Sequence, residues 1–221
     1  MANSDFSVTD PAALARTVEL DRAAVLVIDI QNDWCHEEGA YARAGLDARI
    51  LRESVPAVAD FIARVRQARR PIIHVGTTHG PWTNSPAWDA RLKSRQIDPA
   101  HFLEPGAWGS QFFGITPEAG EWVVIKHRFS AFVGTDLDLV LRTRGITTVI
   151  LTGCTTHVCV QNTAVHALMH NYHAVVVEDC TAAFTVEEHE QALAYLGKLS
   201  VVITRAQTVL DGWAELERPG S

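Results

Sequence analysis

Six short apolar runs constrain this chain more than any other feature. Residues 23–28, 72–75, 122–125, 148–151, 174–177 and 201–203 are rich in Val and Ile, and most are apolar at both alternating positions. A strand with one wet face alternates, whereas a strand that is apolar throughout needs cover on both faces of its sheet. Segments with helical spacing lie between the runs. Val58, Phe61, Ile62 and Val65 recur at i, i+3, i+4, i+7, with Ser54 and Pro56 as entry signals. Thr135-Asp136-Leu137-Asp138 reads as a capped helix start that Gly145 ends, with Leu137, Val140 and Leu141 as its stripe. Val160, Ala164, Ala167 and Leu168 make a further stripe, and Ala192, Leu193 and Leu196 another. Strands alternating with helices predict a parallel sheet in a three-layer α/β fold.

The 221 residues suffice for a core without disulfide or metal staples and are read as one domain over 1–221. Residues 1–20 read as a peripheral arm and the last few as a loose tail. Segment 76–120 breaks the rhythm with prolines and Trp82, Trp88 and Trp108, the composition of a lid or binding wall. A net charge of −7, with no Lys/Arg block, argues against a nucleic-acid surface. The chain has no run of about 18 apolar residues and so no expected membrane span. It begins without a secretory pattern, and four scattered cysteines make no disulfide framework, so a reducing cytoplasm is the expected compartment.

In a parallel α/β sheet, ligands gather at the carboxyl ends of the strands. Asp29 follows the first run, flanked by Ile28 and Ile30. It reads either as a turn-capping carboxylate or as a desolvated general base. Lys126 ends the third run, either snorkelling to solvent or supplying a fixed charge to a thiolate and an oxyanion. Cys159 lies where a helix is expected to begin after the fourth run. It is either a small buried apolar residue or a thiol whose pKa the helix dipole lowers. Cys35, Cys154 and Cys180 read as packing residues. The pairs His74/His79 and His166/His170 and the group Cys154/His157/Cys159 match neither CxxC nor HExxH spacing, so no metal site is expected. Without a GxGxxG or Walker-type loop, no nucleotide cofactor is expected either.

Stretches 24–33 (AVLVIDIQND), 124–139 (VIKHRFSAFVGTDLDL) and 145–164 (GITTVILTGCTTHVCVQNTA), continued by 174–184 (AVVVEDCTAAF), together resemble the isochorismatase-like cysteine hydrolase family. The resemblance runs from about residue 23 to 203. It implies a six-stranded parallel sheet in the order 3-2-1-4-5-6, a triad of Asp29, Lys126 and Cys159, and a non-proline cis peptide at Cys154–Thr155. It also implies a metal-independent, homo-oligomeric enzyme, a dimer or tetramer, with no cofactor. Backbone N–H groups of Thr155 and Cys159 are the expected oxyanion hole, and hydrolysis is expected to pass through a thioester.

True isochorismatases lack the cysteine nucleophile, and the metal-binding DPHP…H pattern of nicotinamidases is replaced here by GTTHGPW at 76–82. Segment 82–88 (WTNSPAW) resembles the branch acting on urea-type amides, which implies biuret, triuret or a related ureide as substrate. Ureidoacrylate and N-carbamoyl amines are the alternatives. Gln31, Trp82, Asn84, Trp88 and Phe132 are the expected substrate-binding residues, whereas Gln207 reads as a surface residue. A non-catalytic ligand-binding or assembly relative is the reading from a different class.

Overall fold

The computed structural model describes residues 7–217. In chain order the elements are α1 (Pro11–Thr17), β1 (Ala23–Ile28), α2 (Asn32–Cys35), α3 (Ala40–Arg43), α4 (Arg49–Gln67), β2 (Ile72–Thr77) and α5 (Pro86–Lys93). Then come β3 (Trp122–Lys126), α6 (Leu137–Thr143), β4 (Thr148–Cys154), α7 (Gln161–Met169), β5 (His173–Ala182), α8 (Val186–Lys198), β6 (Val202–Thr204) and α9 (Ala206–Leu216). The six strands form one parallel sheet in the order β3-β2-β1-β4-β5-β6, as the sequence leads one to expect.

Alternation along the central strands builds two cores. Val25 and Val27 of β1 join Ile150 and Val175 against Leu51, Val58, Phe61 and Ile62 of α4. Ala24, Leu26 and Ile28 face the other way, with Val149, Leu151 and Val176, onto Leu137 and Leu141 of α6, Ala164 of α7 and Leu196 of α8. Successive side chains of a strand point to opposite faces, so a strand apolar at every position serves both layers. Edge strand β3 has one neighbour, and its Trp122, Val123 and Ile125 are exposed.

Several boundaries differ from the sequence reading. Helix α4 begins at Arg49, before Ser54 and Pro56; Pro56 lies inside it, and Ser54 Oγ donates to the Leu51 carbonyl at 2.7 Å. Strand β5 runs five residues past Val177, and its pairing with β4 shifts register, Leu151 facing Val176 and Gly153 facing Thr181. The expected peripheral arm is packed: Leu14, Val18 and Leu20 are buried in the α4-side core, and Val8 N–H donates to the Ile203 carbonyl at 2.8 Å. The expected C-terminal tail lies outside the described residues.

Gly153 fixes how closely β4 approaches β1 beneath the strand ends. Its φ is +100°, and a Cβ there would stand 2.1 Å from the Ile28 carbonyl oxygen and 2.7 Å from the Ile28 nitrogen. Backbone atoms cannot move aside as a flexible side chain can. Gly153→Ala is therefore expected to cost about 3 kcal/mol or more and lower Tm by roughly 10 °C. Thermal unfolding checks this; a Tm within 2 °C of the parent would show that the two strands separate at little cost.

Candidate active site

Three strands and one helical turn converge at the carboxyl end of the sheet. Asp29 follows β1 with φ +54°, a left-handed conformation that Asp adopts more readily than most residues. Its backbone N–H donates to Val75 of β2 at 2.8 Å. Lys126 is the last residue of β3, and both side chains are 1% exposed. Strand β2 lies between β1 and β3, and its last residue, Thr77, bridges them. Lys126 Nζ donates to Thr77 Oγ1 at 2.6 Å, Thr77 Oγ1 donates to Asp29 Oδ1 at 2.8 Å, and Lys126 Nζ stands 2.7 Å from Asp29 Oδ2. After β4 the Cys154–Thr155 peptide is cis, and a π-helical turn (Thr156–Val160) leads into α7. This turn carries Cys159, whose Sγ lies 3.5 Å from Lys126 Nζ. The ammonium also reaches the Arg128 carbonyl at 3.2 Å.

Burial alone would depress the Lys126 ammonium, but the Asp29 charge and Cys159 reverse this and hold its pKa above the usual lysine range. Burial, followed by the Asp29 charge, pushes the Cys159 thiol up to about 12, with Lys126 pulling the other way. The thiol at rest is thus neutral, and of the two readings open for Cys159 the buried residue describes its resting state better than the helix-lowered pKa does. A dipole at the head of a helix is a weaker influence than the loss of water and a buried carboxylate together.

The sign has a kinetic consequence. With a pKa of about 12 the free protein holds only ~10⁻⁵ of its Cys159 as thiolate at pH 7, against a few per cent for an unperturbed cysteine. The iodoacetamide reaction rate at Cys159 is expected to rise about tenfold per pH unit from 7 to beyond 10, without a plateau. Mass-resolved labelling checks it, and a plateau near pH 7 would reveal a resting thiolate.

A cavity of about 30 Å³ opens above Cys159 and is lined also by Lys126, Thr155 and Trp88. Trp34, Tyr41, Phe102, Phe129 and Phe184 give it aromatic walls, with the Tyr41 and Phe184 rings stacked at 5.1 Å. Segment 76–120 contributes His79, Trp88, Arg91, Arg95 and Phe102 to the cavity wall. Cys154 also touches the cavity, but its S–H donates to the Asp29 carbonyl at 3.1 Å.

Four of the expected substrate-binding residues lie elsewhere. Gln31 spends its amide within the fold, donating to the Thr77 and Ser110 carbonyls at 2.9 and 2.7 Å and accepting from Thr77 N–H at 2.8 Å. Trp82 is 99% exposed and lines an outer hollow with Asn84, whose Nδ2 donates to Asp89 at 2.9 Å. Phe132 packs in the core on the α6–α8 side, its ring 4.9 Å from that of His170 and 5.8 Å from that of Tyr172. Gln207, read as a surface residue, pairs with Arg64 and Asp211 on the exterior.

Thr77 and the arginines at positions 91, 95 and 128 escaped the sequence reading. Thr77 had a usable signal, since it ends a strand as Asp29 and Lys126 do. His74 is buried in β2 and pairs with Glu121 at 2.7 Å. Burial, then the charges of Lys126 and its basic neighbours, takes the His79 pKa down to about 3, leaving a neutral ring. Among the described residues, no group of three His, Cys, Asp or Glu side chains is placed to hold a metal ion.

Comparison with known proteins fits this geometry. The ureidoacrylate amidohydrolase RutB of Methylobacterium radiotolerans is 32% identical over 192 residues, covering 80% of this chain and 74% of its own. An isochorismatase-like hydrolase structure from Alkaliphilus metalliredigens superposes with a TM-score of 0.72 at 31% identity, covering 87% of this chain and 96% of its own. N-carbamoylsarcosine amidase from Thermoplasma acidophilum superposes at 0.65 with 30% identity, covering 84% and 96%. The isochorismatase domain model matches residues 23–207, from the first residue of β1 into α9. With that match spanning all six strands, the chain belongs to the isochorismatase family of hydrolases.

Proposed function

We propose that the protein is a cysteine amidohydrolase that cleaves a C–N bond of a small urea-type amide through a thioester on Cys159. The observation that carries this reading is one buried ammonium, Lys126 Nζ, 2.7 Å from the Asp29 carboxylate and 3.5 Å from Cys159 Sγ at the floor of a small cavity. A neutral thiol needs a base at the moment of attack, and Asp29 is the buried carboxylate beside it.

In this mechanism Asp29 takes the Cys159 proton as sulfur bonds to the substrate carbonyl carbon. The carbonyl electron pair moves onto oxygen, which the backbone N–H groups of Thr155 and Cys159 receive. Lys126 holds the Asp29 charge while the proton is away from it and stabilises the nascent thiolate. The tetrahedral adduct collapses, the C–N bond breaks, and Asp29 returns its proton to the departing nitrogen. Water then gives a proton to Asp29 and attacks the thioester, and sulfur leaves with that proton restored. No step requires a metal or an organic cofactor.

The aromatic walls exclude water and favour a flat, compact substrate. Biuret, triuret and short N-carbamoyl compounds all meet that description, and the names of the relatives support a ureide. The proposal extends to a cytoplasmic homo-oligomer, the compartment and state that the scattered cysteines and the family resemblance lead one to expect. Among the described residues no helix is long and apolar enough to cross a membrane. An ammonia-release screen over biuret, triuret, ureidoacrylate, N-carbamoyl amino acids and nicotinamide tests the proposal. Turnover of a ureide that vanishes in Cys159→Ala supports it, and ligand binding without turnover of any amide would leave a binding protein instead.

A further inference from the structure

The cavity above Cys159 carries more positive charge than the proposed chemistry uses. Lys126, Arg91, Arg95 and Arg128 line it, and among the described residues no Asp or Glu does. Lys126 is committed to Asp29. Arg128 is tied into the wall, its guanidinium donating to the Thr83 and His127 carbonyls at 3.0 and 2.6 Å. Arg91 and Arg95 are different. Arg91 lies in the last turn of α5 and Arg95 in the turn just beyond it, and among the described residues neither forms an ion pair with a carboxylate. Arg91 stacks on aromatic faces, 4.7 Å over Phe129 and 5.4 Å over Trp88, which fixes its plane while leaving its edge N–H groups without an anion. Arg95 is exposed at the rim and stands beside Tyr41.

We propose that Arg91 and Arg95 form a carboxylate subsite, and that the substrate is a short ureide ending in a carboxylate rather than neutral biuret. Two guanidinium groups facing one small cavity repel each other, and an arriving carboxylate converts that repulsion into charge-assisted hydrogen bonds. Burial, together with the nearby Arg95 charge, already depresses the Arg91 pKa. A neutral substrate leaves the half-buried Arg91 unpaired, which is how a polar site rejects an analogue lacking the matching group. The cavity volume of about 30 Å³ keeps the spacer between carboxylate and ureido carbonyl to a few atoms. The inference rests on the cysteine amidohydrolase reading for the carbonyl end of the substrate, and on the arginines alone for the other end.

The test compares 3-ureidoacrylate, N-carbamoyl-β-alanine and N-carbamoylglycine, each with its neutral carboxamide, and biuret. Turnover is measured with the parent protein, Arg91→Gln, Arg91→Lys and Arg95→Gln. At least one acid is expected to exceed its carboxamide and biuret about 100-fold in kcat/KM. That ratio is expected to fall at least tenfold in either glutamine variant, chiefly through KM, and to recover in part in Arg91→Lys, which keeps the charge without the fork. Carboxamides or biuret used as well as the acids, or a ratio unmoved in both glutamine variants, would overturn the subsite. Calorimetry on Cys159→Ser separates the two ideas. Acid binding that weakens on adding Arg91→Gln supports the subsite even if no amide is hydrolysed, and failure to bind any of the acids overturns it whatever the fate of Cys159.

Discussion

Replacing Cys159 by Ser or Ala is expected to lower kcat/KM on the best ureide substrate by at least ~10⁴-fold while leaving the fold intact. The size follows from what the residue supplies. In the proposed mechanism the sulfur forms the covalent bond, so its loss removes the entire two-step route and leaves only the binding and oxyanion contributions of the cavity. Serine does not rescue it, because a hydroxyl is harder to deprotonate than a thiol and the Asp29 base is set beside sulfur. Structural cost is small by comparison: Cys159 is buried in a turn held by backbone bonds, including Val160 N–H to the Thr155 carbonyl at 3.2 Å. Trimming one sulfur atom to Ala costs about 1 kcal/mol, a Tm shift of a few degrees. Steady-state kinetics beside thermal melting resolve the two effects. A variant within tenfold of the parent would remove the thioester from the mechanism.

How far the sequence foretells this site follows from what each residue does locally. Asp29 and Lys126 come directly after apolar runs and Cys159 lies in the turn that follows the fourth, and the end of such a run in a parallel sheet is where a polar side chain meets ligand. The strand order follows from the resemblance, and the paired cores follow from Val25 and Val27 alternating with Ala24, Leu26 and Ile28. Thr77 shares that strand-end position, its one signal in the sequence, but a threonine there is ordinary. Its role arises because β2 lies between β1 and β3, which places its hydroxyl between a lysine and a carboxylate 97 residues apart. Proximity in sequence misled in the case of Gln31, two residues from Asp29, because its amide is taken up by the Thr77 and Ser110 backbone instead of facing the cavity. Trp82 and Asn84 lie in a segment without periodicity, where nothing in the sequence tells an inward side chain from an outward one. The same segment supplies Arg91 from α5, whose one buried position is Leu92, and Arg95 from the turn after it. For Cys159 the helix-dipole reading lowers a pKa that burial raises, because the burial that decides it depends on walls formed by distant parts of the chain.

Lys126→Met and Asp29→Asn are each expected to destabilise the protein by about 3–5 kcal/mol, and the double variant by less than either single change. In Lys126→Met the Asp29 carboxylate keeps its Thr77 and backbone surroundings but loses its counter-charge at 1% exposure. In Asp29→Asn the ammonium keeps Thr77 Oγ1 and the Arg128 carbonyl, yet remains a buried cation without an anion. Either loss is a large share of the 5–15 kcal/mol that holds a typical domain together. Removing both charges replaces the pair with a methionine stem of similar length and an amide that Thr77 can still bond, so the desolvation penalty disappears along with the attraction. Activity follows a different rule. With no base for the neutral thiol in one variant and no fixed charge beside it in the other, all three proteins are expected to lose at least ~10³-fold in kcat/KM. Urea unfolding of the four proteins, read as a double-mutant cycle with kinetics alongside, checks both halves. Stability recovering in the double variant while activity does not would show that the pair is kept for its chemistry and that its contribution to folding is replaceable. Additive losses of stability would mean that Asp29 and Lys126 are held by their separate neighbours, and Thr77 would then be the residue that couples the strand ends.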